Sequence, residues 1–225
     1  MTAPAIGRRG RFITFEGGEG AGKTTQQRLL AESLRARGVE TVATREPGGS
    51  PLGEKLRAAL LSSRAAPLGP LGEATLFAAA RIDHVDTLIE PALARGAFVL
   101  CDRFADSTKA YQGALGQADE RMIALLERIA VRETRPDLTI VLDLPSREGL
   151  ARATRRRAED AAPDRFEGED ARYHEELRRA FLDIAACEPD RCCVVNALQP
   201  ETEVARAIWQ LVEARFLDKR QHETA

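Results

Sequence analysis

Residues 11–25, RFITFEGGEGAGKTT, limit what this chain can fold into more than any other stretch. An apolar run of β-type residues leads into Gly17-Gly18-Glu19-Gly20-Ala21-Gly22-Lys23-Thr24, with Thr25 following. The pattern is G-x-x-x-x-G-K-[ST], the P-loop, and the next residues (TTQQRLLAESLRARG) have a helical pattern. Glycines let the backbone curl so that several N–H groups converge, and the following helix adds its positive end. Lys23 can then bridge the β- and γ-phosphates, and Thr24 can offer its hydroxyl to Mg²⁺. Strand, loop and helix in this order imply a nucleoside triphosphate site. They do not yet define a reaction.

The rest of the chain repeats the strand–helix alternation. Apolar runs at about 11–17, 39–45, 97–103, 138–144 and 192–197 are apolar nearly throughout, as in parallel strands buried on both faces. Helical patterns fall at about 23–38, 51–61, 72–95, 118–134, 146–158, 169–187 and 200–217. This predicts an α/β fold with a doubly wound, five-stranded parallel sheet and flanking helices. Ligands in such folds sit at the carboxyl ends of the strands. Glu16, Arg45, Glu46, Asp102, Arg103, Asp143 and Asn196 all collect there. With 225 residues, 44% of them hydrophobic, one globular unit over 11–217 is expected, with 1–10 and 218–225 as flexible ends. Residues 155–170 (RRRAEDAAPDRFEGED) are charged and broken by Pro163, which suits a solvated loop or a mobile lid over about 150–170.

Composition removes other classes. A net charge of −2 argues against non-specific nucleic-acid binding. No apolar run reaches the length of a membrane span. Cys101, Cys192 and Cys193 read as apolar strand fillers, which fits a reducing cytoplasm. Only Lys23, Lys55, Lys109 and Lys219 are lysines among 33 basic residues, so a Lys inside the P-loop marks a position where Arg would not serve.

Two features point from triphosphate binding towards a kinase. Asp102, at the end of the third strand, puts a carboxylate where it can hold Mg²⁺ directly or through water. Arg103 adds a bidentate phosphate donor at the same edge, which an enzyme holding a second phosphate needs. Phe77 and Arg81, four apart on a helix, share one face and can stack on a base and bond its edge.

TFEGGEGAGKTT, TREPGGSPLGEKLR, LFAAAR, DRFADSTKAYQG, RPDLTIVLDLP and DRFEGEDARYHEEL together resemble bacterial thymidylate kinases over about residues 11–215. The resemblance implies a nucleoside-monophosphate-kinase-like fold, transfer of the γ-phosphoryl of MgATP to dTMP, and a homodimer. It implies that Phe77 stacks on thymine and that Arg81 bonds a ring oxygen. Arg103 would hold the dTMP phosphate and Arg45 would approach it. Ser107, Thr108 and Gln112 would lie at the base or its surroundings, Tyr111 would screen the 2′ position, and Glu19 would lie near the sugar 3′-hydroxyl and Mg²⁺. The P-loop has no basic residue before Lys23, so the transition-state arginine would come from the lid, Arg165 first and Arg157 second. Two other readings stay open: another nucleotide or nucleoside kinase, and a nucleotide-dependent switch that hydrolyses slowly.

Overall fold

The computed structural model describes residues 9–62, 64–156, 166 and 168–217. Five parallel strands, β1 (Phe12–Glu16), β2 (Thr41–Arg45), β3 (Phe98–Asp102), β4 (Leu138–Asp143) and β5 (Cys192–Asn196), form one sheet in the order β2-β3-β1-β4-β5. The helices are α1 (Lys23–Arg35), α2 (Pro51–Leu60), α3 (Gly69–His84), α4 (Glu90–Ala94), α5 (Ala105–Thr108), α6 (Glu120–Val131), α7 (Ser146–Arg156), α8 (Ala171–Cys187) and α9 (Glu201–Val212). Single π-type segments continue α3 into α4 (Val85–Ile89), extend α5 (Lys109–Leu115) and follow α9 (Glu213–Leu217).

The two-residue period of a strand divides the core. Ile13 and Phe15 face one side, with Leu30 and Leu34 of α1 and Val204 and Ile208 of α9. Phe12, Val99 and Cys101 face the other, against Val85, Ile89 and Leu93. Further along that face, Val141 meets Leu177 and Phe181 of α8. Helices therefore cover both faces, and the β1, β3 and β4 carboxyl ends lie side by side. Ser50, Asp119 and Asp170 cap the starts of α2, α6 and α8 through their side chains. The start of α1 has neither a capping side chain nor an acid in its first turn, so its N–H groups keep their positive field.

Four expectations need correction. Burial on both faces holds for β1, β3 and β4, but β2 and β5 are edge strands with exposed residues such as Ala43 and Val194. The helical segment 105–115 was not expected, because it carries no apolar stripe: Asp106, Thr108 and Gln112 are buried in it. The third helix begins at Gly69, ahead of the helical pattern expected from about 72. Gly10 is no loose end, since it is buried and its N–H donates to Leu93 O at 2.8 Å.

Polar pairing explains how 105–115 is held. Arg191 grips Asp106 with two bonds, Nη1 to Oδ2 at 2.7 Å and Nη2 to Oδ1 at 2.8 Å. Arg191 also donates to Thr139 Oγ1 at 2.8 Å, and Thr139 shares a 2.8 Å bond with Thr14 on β1. Lys109 meets Glu127 and Glu188, both at 3.2 Å. The segment is thus fastened by charge as well as by Ala105, Ala110 and Tyr111, which join the apolar clusters. Asp106→Ala should destabilise the protein by about 3 kcal/mol, because it strips a buried bidentate partner from Arg191. Urea denaturation measures this, and a loss below about 1 kcal/mol would mean that Glu188 alone satisfies Arg191.

Candidate active site

The P-loop curls through left-handed glycines, Gly20 at φ +66° and Gly22 at φ +92°. Gly20 also lies against α7, where an added Cβ would stand 2.0 Å from Gly149 O. Lys23 is buried at the start of α1 and its Nζ donates to Gly17 O at 3.1 Å and Gly18 O at 2.7 Å. Burial and the Arg103 charge lower its pKa, against the pull of Glu19, Asp102 and Glu16. Thr24 Oγ1 donates to Asp102 Oδ2 at 2.5 Å, so the first turn of α1 and the end of β3 meet at a hydroxyl–carboxylate pair. Both are hard oxygen donors. No group of three or more His, Cys, Asp or Glu suited to a metal occurs among the described residues. That donor set suits Mg²⁺, which keeps waters and is shared with substrate phosphates rather than caged by protein.

Arg103 faces the loop from the other side. Its Nη2 reaches Glu19 Oε1 at 2.6 Å, and its Nη1 reaches Gly17 O and Ser107 Oγ, each at 3.2 Å. Tyr111 donates its hydroxyl to Glu19 Oε1 at 3.1 Å. Burial alone would raise the Glu19 carboxyl, but Arg103, Lys23 and the Tyr111 hydroxyl hold it down at about 2. Tyr111 itself is pushed well above its usual value by burial, so it stays a donor.

At the far end of the same cleft, Arg81 is buried on α3. Its Nε donates to Glu46 Oε2 at 2.7 Å and its Nη2 to Thr108 Oγ1 at 3.2 Å. His84, one helical turn on, shares a 3.0 Å bond with Glu46 Oε1 and a 2.7 Å bond with Thr44 Oγ1. Gly49, at φ +76°, lets the loop after β2 approach this cluster, since a Cβ there would stand 2.3 Å from His84 Nε2. Gln112 Nε2 donates to Glu73 Oε2 at 3.4 Å, both side chains being buried. A carboxylate has only acceptors to offer, so it is the Gln112 NH₂ that turns to Glu73. Phe166 packs edge-on against Tyr111, with centroids 5.2 Å apart.

Many of these groups line one cavity of about 240 Å³, while Thr44, Glu73 and His84 brace its walls from outside. Of the residues singled out from sequence, Glu19, Gly20, Gly22, Lys23 and Thr24 line its phosphate end. Arg45, Phe77, Arg81, Asp102 and Arg103 line it as well, as do Ser107, Thr108, Tyr111 and Gln112. Gly17, Gly18, Ala21 and Thr25 shape the loop or helix without lining the cavity. Arg45 is exposed and paired with Glu54 at 3.0 Å, and Ser107 bonds Arg103 rather than pointing free. Arg157 and Arg165 lie outside the described residues. Glu46, Arg57, Phe104 and Phe166 line the cavity without having been singled out as site residues. Glu46 stands inside the REPGG block and Phe166 inside DRFEGED, so the signal for both was present. Arg57 donates to Pro47 O at 2.8 Å, a loop contact that no spacing announces.

A phosphate loop and an acceptor-side wall in one cavity, bridged by an arginine on a sheet of this order, define a nucleoside monophosphate kinase. The thymidylate kinase family model matches residues 15–208. The chain belongs to the thymidylate kinase family. It is 54% identical over 211 residues to a thymidylate kinase of Rhodopseudomonas palustris, covering 93% of this chain and 91% of that protein. It is 53% identical over 209 residues to one of Bradyrhizobium diazoefficiens, with coverage of 93% and 91%. A crystal structure of thymidylate kinase from Ehrlichia chaffeensis superposes with a TM-score of 0.73 at 33% identity, covering 91% of this chain and 99% of that one.

The depressed Glu19 carboxyl gives a pH signature. A group lowered from 4.5 to about 2 adds stability above pH 4.5 and loses it as pH falls towards 2. The stability advantage of the wild type over Glu19→Gln should therefore be full at neutral pH and fade across that window. Denaturant midpoints at several pH values test it, and a constant difference down to pH 2 would show that Glu19 is not held by these charges.

Proposed function

We propose that the chain transfers the γ-phosphoryl group of ATP to dTMP, forming dTDP and ADP. The observation that carries the reading is Arg103, held between the P-loop at Gly17 and the pocket wall at Ser107, where a donor phosphate and an acceptor phosphate would meet. Phe77 supplies a stacking face beside Arg81 in that pocket. Arg81 offers donors, and the orientation of Gln112 offers an acceptor. Thymine shows the reverse pattern, carbonyl oxygens and an N3–H, whereas cytosine has an acceptor at N3. Tyr111, fixed to Glu19, closes the sugar side.

The acceptor is already a phosphate anion, so no strong general base is required. Alignment and charge stabilisation do the work. Lys23, which bonds loop carbonyls in the free protein, turns to the β- and γ-phosphates, and the α1 N–H groups face the same charge. Thr24 and Asp102 would hold Mg²⁺, which when bound neutralises phosphate charge. Arg103 sets the acceptor oxygen in line. A lid arginine, Arg165 first and Arg157 second, would meet charge on the moving phosphoryl group, and its alanine variant should show the larger fall in kcat. The implied homodimer is supported by Met122, Leu125 and Ile129, exposed on α6 at spacings of three and four. Sedimentation as a monomer at micromolar concentration would remove that part. Both substrates are metabolites of the cytoplasm, where the reading places the protein.

An ADP-release assay with MgATP and dTMP, dUMP, UMP, dCMP, AMP or no acceptor tests the function. ADP release should depend strongly on dTMP and yield dTDP. Strong turnover with another monophosphate would keep the kinase and overturn the base assignment. Slow release indifferent to acceptor would favour a switch. Glu73→Gln should free the Gln112 amide to turn over and lower the preference for dTMP over dCMP in kcat/KM by about tenfold, the worth of one oriented hydrogen bond. An unchanged ratio would mean that Glu73 does not set the orientation.

A further inference from the structure

Glu16, the last residue of β1, is fully buried and has no part in the chemistry above. Its Oε1 accepts the Phe104 N–H at 2.8 Å, and its Oε2 accepts the Ser107 hydroxyl at 2.7 Å. A hydroxyl carries one hydrogen. Because Ser107 directs it at Glu16, only its lone pairs face Arg103 Nη1, 3.2 Å away. The bonds therefore run one way, from guanidinium to hydroxyl to carboxylate.

A second hold acts on the backbone. Arg103 stands at φ +68°, a left-handed conformation uncommon for a residue with a side chain. Its N–H donates to Phe15 O at 2.9 Å, and the next N–H, on Phe104, goes to Glu16. Two successive amides of the turn are thus tied to the end of β1. The start of α5 has no capping side chain of its own, and Glu16 instead holds the N–H of its N-cap residue, Phe104, from a neighbouring strand. Burial raises the Glu16 carboxyl to about 7 and Asp106 adds to this, while Arg103 and the bonds from Ser107 and Phe104 oppose it. The groups that Glu16 holds are those that favour its ionised form against burial and Asp106.

The geometry points to Glu16 as a positioning residue for the acceptor phosphate, fixing Arg103 through the β3–α5 turn and through Ser107. The inference rests on the kinase reading above, with Arg103 as the ligand of the acceptor phosphate. It requires that Glu16 affect the phosphate of the acceptor and not its nucleoside.

Glu16→Gln separates the two. The amide must turn its oxygen to the Phe104 N–H, so its NH₂ meets Ser107 Oγ and competes with Arg103. Calorimetric affinities for dTMP and for thymidine, which lacks the phosphate, are compared in the wild type and the variant. The preference for dTMP over thymidine should fall about tenfold in Glu16→Gln while thymidine affinity stays within twofold. In steady-state assays KM for dTMP should rise and KM for ATP should not. Ser107→Ala cuts the same chain, so it should lower the preference similarly, and the double variant should lower it no further than the larger single one. An unchanged preference, an equal loss of both ligands, or additive single effects would overturn the inference. Should Glu16→Gln fail to fold, the same dTMP-to-thymidine ratio in Ser107→Ala decides it: a preserved ratio overturns it, and a collapsed one supports it. A wild type with no preference for dTMP over thymidine would instead sink the kinase reading itself.

Discussion

A guanidinium taken out of water must find partners, and the arrangement of this site follows from how Arg103 finds them. Its cation meets a carboxylate on the P-loop, a carbonyl of the same loop and a hydroxyl on α5. Removing one member of such a set leaves an uncompensated charge, at a cost of several kcal/mol. The phosphate loop and the segment after β3 are therefore locked to each other before any substrate arrives. The same contact keeps Glu19 ionised and Tyr111 oriented. An incoming phosphate trades places with partners already matched to its charge, which limits the reorganisation left for the reaction.

The opposite wall of the cleft is built on the same principle with other residues. Glu46 divides its two oxygens between Arg81 and His84, so the loop after β2 and the helix α3 share one buried carboxylate. Arg81 spends its Nε on that bond and turns Nη2 towards Thr108 on α5. The α5 segment thus touches both walls. It is held in turn from behind, Asp106 by Arg191 and Lys109 by Glu127 and Glu188. Rigid elements fix each polar group, and the groups in turn fix where the elements sit.

How much of this the sequence revealed depends on the kind of force involved. Phe12, Ile13 and Phe15, or Val99, Leu100 and Cys101, announce buried strands by composition, and Gly20, Gly22 and Lys23 announce the loop by spacing. The strand order follows from neither, although the carboxyl-end rule already gathered Glu16, Asp102 and Arg103 at one edge. What stayed hidden was polar pairing at long range. Asp106 pairs with a residue 85 positions away, Glu16 with one 91 away, and Glu46 with one 35 away. Periodicity records which faces are apolar, so a segment such as 105–115, buried through polar pairs beside a few small residues, looks like a loop. Phe77 and Arg81 were legible because four residues is one helical turn; Arg57 was not, because its partner is a loop carbonyl.

The contact between the P-loop and α7 has a mechanical meaning. At Gly20 and Gly149 two backbones touch with no side chain between them, and a Cβ at Gly149 would stand 2.3 Å from Glu19 O. Side chains are the compliant part of a packed interface, and here there are none to absorb motion. Gly149 thus seats α7 directly on the phosphate cradle, while Arg152 Nη1 ties the same helix to Ala197 O, after β5, at 3.1 Å. The cradle, α7 and the end of β5 are joined with little that is soft between them.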